Sequence, residues 1–413
     1  MNSSQMMALM PILMLSLTAM VLMIQASIKR DQNIAWWITA AGFLLTIWGA
    51  GYARDFAQSV TILLEVDDWG LFFSTLIVFA SLVCLILSRE TFSQEAERKE
   101  EYYLLLVLSV LGAVVLIQSS HMASLLLGME LMGVALYAMI AFREKGELPL
   151  EAAIKYLVLS ACASAMLLFG FALVYAATGD LTYAGIGAAA DLAYGREPLV
   201  LMAGSAMILA GLGFKLSVVP FHMWTPDVYE GAPTPITAFF AIVPKLAAIA
   251  LIFRFCLEPF RSFYFEWTQV IFFLSVASMF LGATAAIAQK SLKRLLAYSS
   301  IGHVGYVLIA LVAASDQGIR SASIYMFIYL IMNISVFAIL LSLKKSDKYV
   351  DKINQLTGLS KTNPIVSASL AIIMLSMAGI PPFIGFFGKF YVFIAAIESQ
   401  QYILAVLGVL ASV

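Results

Sequence analysis

Five ionisable side chains stand where the sequence is otherwise apolar. Glu130 lies between Leu125-Leu126-Leu127-Gly128-Met129 and Leu131-Met132, and Lys155, Lys215, Lys245 and Lys389 each fall inside an apolar run. Held away from water, an amine and a carboxylate are suited to proton transfer. Burial disfavours the charged ammonium and a nearby carboxylate favours it, so a Glu–Lys pair whose separation changes can load a proton and release it. Left unpaired in hydrocarbon, each charge costs about 2.5–3.5 kcal/mol and the five together more than about 10 kcal/mol. They must therefore face a protein interior, pair, or be neutral. Lys155 sits about one turn into its run, where its stem can equally well carry the ammonium to the interface. Lys245 and Glu130 lie roughly eight or nine residues from either end of theirs, beyond the reach of that escape.

Membrane helices must position these groups. Of 413 residues, 62% are hydrophobic and 12% charged, with a mean hydropathy of +0.94; a water-soluble domain carries about twice that charge. A helix needs roughly 20 apolar residues to cross the hydrocarbon. Such runs fall at 8–27, 34–53, 69–88, 103–119, 122–142, 152–177, 199–221, 236–256, 267–289, 294–313, 318–343 and 366–398, which makes twelve expected spans. The first has no basic segment before it and is longer than a secretory signal, so it reads as a retained helix. The last apolar stretch, Tyr402 to Val413, is too short to span and reads as a helix cut off partway or a re-entrant piece. Alternate gaps gather fifteen Lys and Arg on one side, from Lys29 and Arg30 to Lys352 and Lys361, against Arg54, Arg196, Arg254, Arg261 and Arg320 on the other. The positive-inside rule then puts the N-terminus outside the cytoplasm.

Other classes fall away. A formal net charge of −1 argues against nucleic acid as partner. Cys84, Cys162 and Cys256 form no CxxC and no Cys/His cluster, so neither a zinc site nor an iron–sulfur centre is expected. No GxGxxG follows a strand pattern and no Walker motif occurs.

Two spans are broken by proline. In the seventh, Gly211-Leu212-Gly213-Phe214-Lys215 leads to Pro220-Phe221-His222-Met223-Trp224-Thr225-Pro226; in the twelfth, Ala378-Gly379-Ile380-Pro381-Pro382-Phe383 leads through Gly385 and Gly388 to Lys389. Interior proline frees backbone carbonyls that protein or water must satisfy within a membrane. Each break lies in the fourth helix of a five-helix set, helices 4–8 and 9–13, and the two sets start on opposite sides. That is the pattern of an inverted repeat with broken helices at its ion site. The expected architecture is an all-α polytopic bundle: three N-terminal helices over 1–102, a first five-helix repeat over 103–256, and a second, inverted and incomplete, over 257–413.

The stretch from Gly213 to Pro235, Gln289 to His303, and Ala378 to Phe390 resemble the signatures of the antiporter-like membrane subunits of respiratory complex I, and the likeness covers nearly the whole chain from helix 4 onward. Within that family, Thr225-Pro226-Asp227-Val228-Tyr229-Glu230-Gly231 and a lysine directly after Pro244 favour one branch, and no long lateral helix follows the twelfth span, as another branch would require. The resemblance implies redox-driven proton translocation through Glu130 paired with Lys215, Lys245 at the centre, and Lys389. It also implies roles for Lys293 and His303 in a second half-channel, and for Lys155 in linking neighbouring units. No cofactor is expected in this chain; NADH, flavin, iron–sulfur clusters and quinone are expected in partner subunits, and the partners are other membrane-arm subunits and the lipid bilayer. The chain departs from the family at its end, where the thirteenth helix is incomplete and the fourteenth is missing.

Simpler readings stand beside these. His222 could cap or pack at its break, Lys293 with Lys290 and Arg294 could serve topology alone, and His121 in a short turn reads as interfacial. Asp227 and Glu230 could be loop structure or part of a proton uptake path. Two other functions compete: a subunit of a multi-subunit sodium/proton antiporter or related membrane-bound hydrogenase, and a structural spacer whose charges are paired for stability. A sodium site would want oxygen ligands where the breaks carry lysines, which favours protons.

Overall fold

The structure, a computed structural model, describes residues 2–95, 99–142, 147–193, 199–345 and 348–412. Of the cations behind the orientation, Arg98, Arg143, Lys145 and Arg196 lie outside the described residues. The chain forms two compact units, Met1–Lys215 with Gly231–Tyr264, and Leu216–Glu230 with Phe265–Val413.

The helices of the first unit are α1 (Ser3–Ala8), α2 (Met10–Ile28), α3 (Gln32–Ala53), α4 (Asp68–Glu95), α5 (Lys99–Ile117), α6 (Met122–Ile140), α7 (Glu147–Thr178), α8 (Tyr183–Ala193) and α9 (Leu199–Leu216). After α10 (Trp224–Gly231), which belongs to the second unit, α11 (Thr234–Leu257) returns to the first. The second unit continues with α12 (Tyr264–Ile287), α13 (Leu292–Ala313), α14 (Asp316–Ser342), α15 (Leu359–Thr362), α16 (Pro364–Ala378), α17 (Ile384–Glu398) and α18 (Tyr402–Ser412). Two short antiparallel strand pairs, Gln58–Ser59 with Glu65–Val66 and Lys344–Lys345 with Lys348–Tyr349, lie in connections.

Among the described residues, eleven helices are long and apolar enough to cross a membrane, and they match the first eleven expected spans. The twelfth is two pieces, α16 and α17, separated at Gly379–Phe383; the seventh likewise stops at Leu216, before α10. Both breaks therefore fall at the prolines. Several short helices were not expected, among them α8 and α10 in stretches left as gaps, because eleven and eight residues are too few to register as spans.

The core of the first unit is α11. Every residue from Thr234 to Cys256 is buried, and the helix packs against α4, α5 and α6, which explains why its sequence has no polar face. Those neighbours come close to one another at glycines. A Cβ on Gly128 of α6 would stand 2.6 Å from the Leu116 nitrogen and 2.9 Å from the Gly112 oxygen, both backbone atoms of α5. Without a hydrophobic drive between helices in lipid, such backbone approach is a main source of cohesion.

At one end of this unit the connections that alternation assigns to a single side do meet. Glu65 donates its backbone N–H to Gln118 O at 2.9 Å, Tyr183 to Ser120 O at 2.9 Å, and Met122 to Leu181 O at 2.9 Å. Arg254, counted as a loop cation, is instead buried in the last turn of α11, where it bonds Asp67 at 2.7 Å and Glu258 at 3.1 Å and lies 3.9 Å from Glu65. His121 caps α6, its Nδ1 accepting from Ala123 N at 2.9 Å.

Gly128→Leu places side-chain atoms where the α5 backbone stands, at an overpacking cost of about 1–3 kcal/mol or more. The expected result is a subunit that is less stable to heat in detergent, whereas Leu127→Ala, on the exposed side of α6, leaves the unfolding temperature near its starting value.

Candidate functional site

In the first unit, Glu130 and Lys215 are joined through α7. Ser164 donates to Glu130 Oε1 at 2.5 Å, and one turn earlier Ser160 accepts from Lys215 Nζ at 2.9 Å and from the Tyr137 hydroxyl at 2.7 Å. The Lys215 ammonium also lies 5.5 Å from the Tyr156 ring centroid, and Glu130 and Lys215 interact electrostatically. Two serines four residues apart share one helix face, so they place carboxylate and ammonium about a turn apart. Lys215 is 4% exposed and Glu130 half-buried. Lys245, in the same unit, is 1% exposed and directly follows the helix-interior Pro244.

In the second unit, the break between α16 and α17 builds the site of Lys389. Helix α16 ends at Gly379 in the left-handed region, φ +86°, and the carbonyl of Ala378, just before it, accepts from Lys389 Nζ at 2.8 Å. Ser376 Oγ accepts from Gly385 N at 3.0 Å, joining the two halves. The freed carbonyl expected from the proline pair is thus satisfied by the buried lysine itself. Lys389 also donates to Ser412 Oγ at 2.9 Å and lies 4.5 Å from the centre of the Tyr306 ring. With His303, Tyr306 and Ser412 it lines a cavity of about 350 Å³. His303 is 5% exposed, and its Nδ1 is 2.7 Å from the Tyr325 hydroxyl.

At the start of α13, Lys293 donates to the Glu230 carbonyl at 3.2 Å, while Arg294 bonds Asp227 at 2.8 Å and Glu230 at 3.1 Å. Asp227 and Glu230, read from the sequence as loop residues, stand on α10 instead and are held by a cation beside Lys293. His222 is half-buried in the turn after the first break. It bonds the Pro220 carbonyl, and burial sets its pKa below the ordinary histidine value. Lys155 lies on the outer side of α7, its side chain 43% exposed and paired with Glu151 at 2.8 Å, on the interfacial reading rather than the buried one.

A family profile described as "NADH:quinone oxidoreductase/Mrp antiporter, TM" matches residues 119–413. The chain belongs to this family. NADH-quinone oxidoreductase subunit N of Rhodospirillum rubrum is 42% identical over 410 residues, covering 98% of this chain and 84% of that protein. Subunit N of Parvibaculum lavamentivorans is 41% identical over 406 residues, with 98% and 84% covered. Among solved structures, a chain of respiratory complex I from Thermus thermophilus superposes with a TM-score of 0.83 at 30% identity, over 98% of this chain and 86% of that one. A chain of the Mrp complex from Dietzia gives 0.88 at 21% identity over 100% and 78%, a likeness of fold alone.

Several polar residues beside the lysines escape a search for charges in apolar runs. Ser160, Ser164, Tyr137, Tyr306 and Tyr325 are compatible with hydrophobic surroundings, and only their spacing marks them. Ser160 and Ser164 on α7, and Tyr325 and Tyr329 on α14, are each separated by one helical turn.

A Cβ on Gly379 would meet the Lys389 side chain, with Cδ at 2.9 Å, Nζ at 3.0 Å and Cε at 3.1 Å, in a backbone conformation that L side chains rarely adopt. Gly379→Ala is expected to destabilise the subunit by about 1–3 kcal/mol and to push Nζ away from the Ala378 carbonyl. A structure of the variant checks this; an unchanged 2.8 Å bond would contradict it.

Proposed function

We propose that this chain takes the place in a bacterial NADH-quinone oxidoreductase that its relatives named subunit N take, and that protons cross it by way of its buried amines. NADH oxidation and quinone reduction take place in partner subunits, where flavin and iron–sulfur clusters belong. The observation that carries the proton path is the Glu130–Ser164 and Ser160–Lys215 pair of contacts on α7. A carboxylate and an ammonium held a helical turn apart by hydroxyls can approach or separate with small side-chain movements, and each change of separation alters how firmly the lysine holds its proton. From Lys215 the proposed order runs through Lys245 and His303 to Lys389, with Lys293 supplying the second half of the path. His222 and Lys155 are assigned supporting places at a cytoplasmic mouth and at the neighbouring subunit.

Residues 103–256 and 257–413 are taken as inverted repeats following a three-helix segment at 1–102, and the N-terminus as non-cytoplasmic, in keeping with the Lys and Arg distribution. A proton path is favoured over sodium transport because the carbonyl freed at the second break is occupied by the Lys389 ammonium rather than left as a cation ligand.

Arginine at 215 keeps the charge but does not release a proton at any workable pH. In vesicles carrying the assembled complex, Lys215→Arg and Lys215→Met should both lower proton uptake per complex, and Glu130→Gln should weaken it. Full uptake by a well-assembled Lys215→Arg complex would rule out Lys215 as an obligatory carrier and return the charges to a structural role.

A further inference from the structure

Four buried hydroxyls of the second unit, none given a place in the lysine path above, lie between the Lys293 end of α13 and His303. Tyr229 on α10 adjoins Glu230, which holds Lys293 and Arg294, and its hydroxyl is 3.5 Å from Ser300 Oγ. Ser300 in turn bonds the hydroxyl of Tyr329. The Tyr329 ring lies 5.4 Å from the imidazole of His303, whose Nδ1 meets the Tyr325 hydroxyl. Beyond His303, Tyr306 bonds Ser412, and Ser412 bonds Lys389 across one wall of the shared cavity. Tyr229, Ser300, Tyr325 and Tyr329 are no more than 2% exposed. Ser300, His303 and Tyr306 occupy successive turns of α13, roughly 4.5 Å apart along its axis.

Packing alone does not explain these oxygens. Phenylalanine would fill the same space without a hydroxyl to satisfy, and a buried hydroxyl is tolerated only with a partner. Here Tyr229, Tyr329 and Tyr325 each have a hydroxyl or imidazole partner that can both accept and donate a proton, while Ser300 rests with its own proton on the Ala297 carbonyl at 2.7 Å and must turn from it to hand that proton on.

We propose that Tyr229, Ser300, Tyr329 and Tyr325 are proton carriers, a hydroxyl ladder that delivers protons from the Lys293 end of α13 to His303 and so, through the cavity, to Lys389. The proposal rests on the proton-transfer reading given above. At each rung the oxygen accepts a proton on a lone pair and releases the one it held, so one O–H bond forms as another breaks. His303 accepts on one ring nitrogen and releases from the other. One positive charge advances and nothing is oxidised or reduced. The cavity is polar on its His303–Lys389 side and large enough for water to carry the last step.

The test is proton uptake by vesicles containing the assembled complex, per complex, for Ser300→Ala and Tyr329→Phe, with Ser300→Thr and Lys389→Met as references. Both variants keep nearly the shape of the wild-type side chain. The ladder predicts that Ser300→Ala and Tyr329→Phe lose uptake as Lys389→Met does, and that Ser300→Thr, which restores the hydroxyl, recovers it. Normal uptake in Ser300→Ala and Tyr329→Phe beside a defective Lys389→Met overturns the ladder and leaves the lysine path standing. Equal losses in Ser300→Ala and Ser300→Thr also overturn it, since they mark a packing role. Normal uptake in Lys389→Met overturns the lysine path itself.

Discussion

The ammonium of Lys245, buried inside a helix that is itself buried throughout, constrains everything packed around it. A charge there cannot reach water along its own stem, so the bundle must either keep it neutral or supply polar company. Surrounding α11 with α4, α5 and α6 keeps it out of lipid. That enclosure depends in turn on backbones that approach as closely as those of α5 and α6 do at Gly112 and Gly128. The same helix ends in Arg254, whose guanidinium draws Asp67 and Glu258 to it and closes that end of the unit. One helix thus carries both an ion-paired cation that fixes structure and an amine suited to changing its charge.

The two units solve the problem of a buried lysine differently. In the first, Lys215 is held by a serine on α7, and the carboxylate that balances it hangs from a second serine one turn away. In the second, Lys389 is held among the described residues by a carbonyl and a hydroxyl rather than a carboxylate: the break exposes the Ala378 carbonyl, and the left-handed Gly379 leaves room for the lysine stem. A carbonyl dipole and a serine hydroxyl hold an ammonium without pinning its charge as a carboxylate would.

Much of this was legible in the sequence because lipid is a strict solvent. Apolar length alone placed the spans, and the prolines placed both breaks, since each forfeits a backbone bond that the membrane cannot replace. Glu130, Lys215, Lys245 and Lys389 stood out for the same reason. What composition could not reveal was company. Arg254 counted as one loop cation among several, and only the folding together of distant connections makes it a buried centre. Lys155, one turn into its run, left burial and the interface equally open, and it faces outward on α7, because nothing in its own run fixes which face a neighbouring helix will cover. Serine and tyrosine pass unnoticed in apolar runs, so the partners of the charged groups emerged only with the structure.

The central claim is that a buried amine in this bundle must change its protonation for the subunit to work, and Lys245 tests it most directly because it is the most deeply enclosed. Proton uptake should be measured in vesicles for an assembled complex carrying Lys245→Met, which keeps much of the length of the stem and removes the amine. The account predicts reduced uptake per assembled complex with the bundle intact. Undiminished uptake by a fully assembled Lys245→Met complex would contradict it.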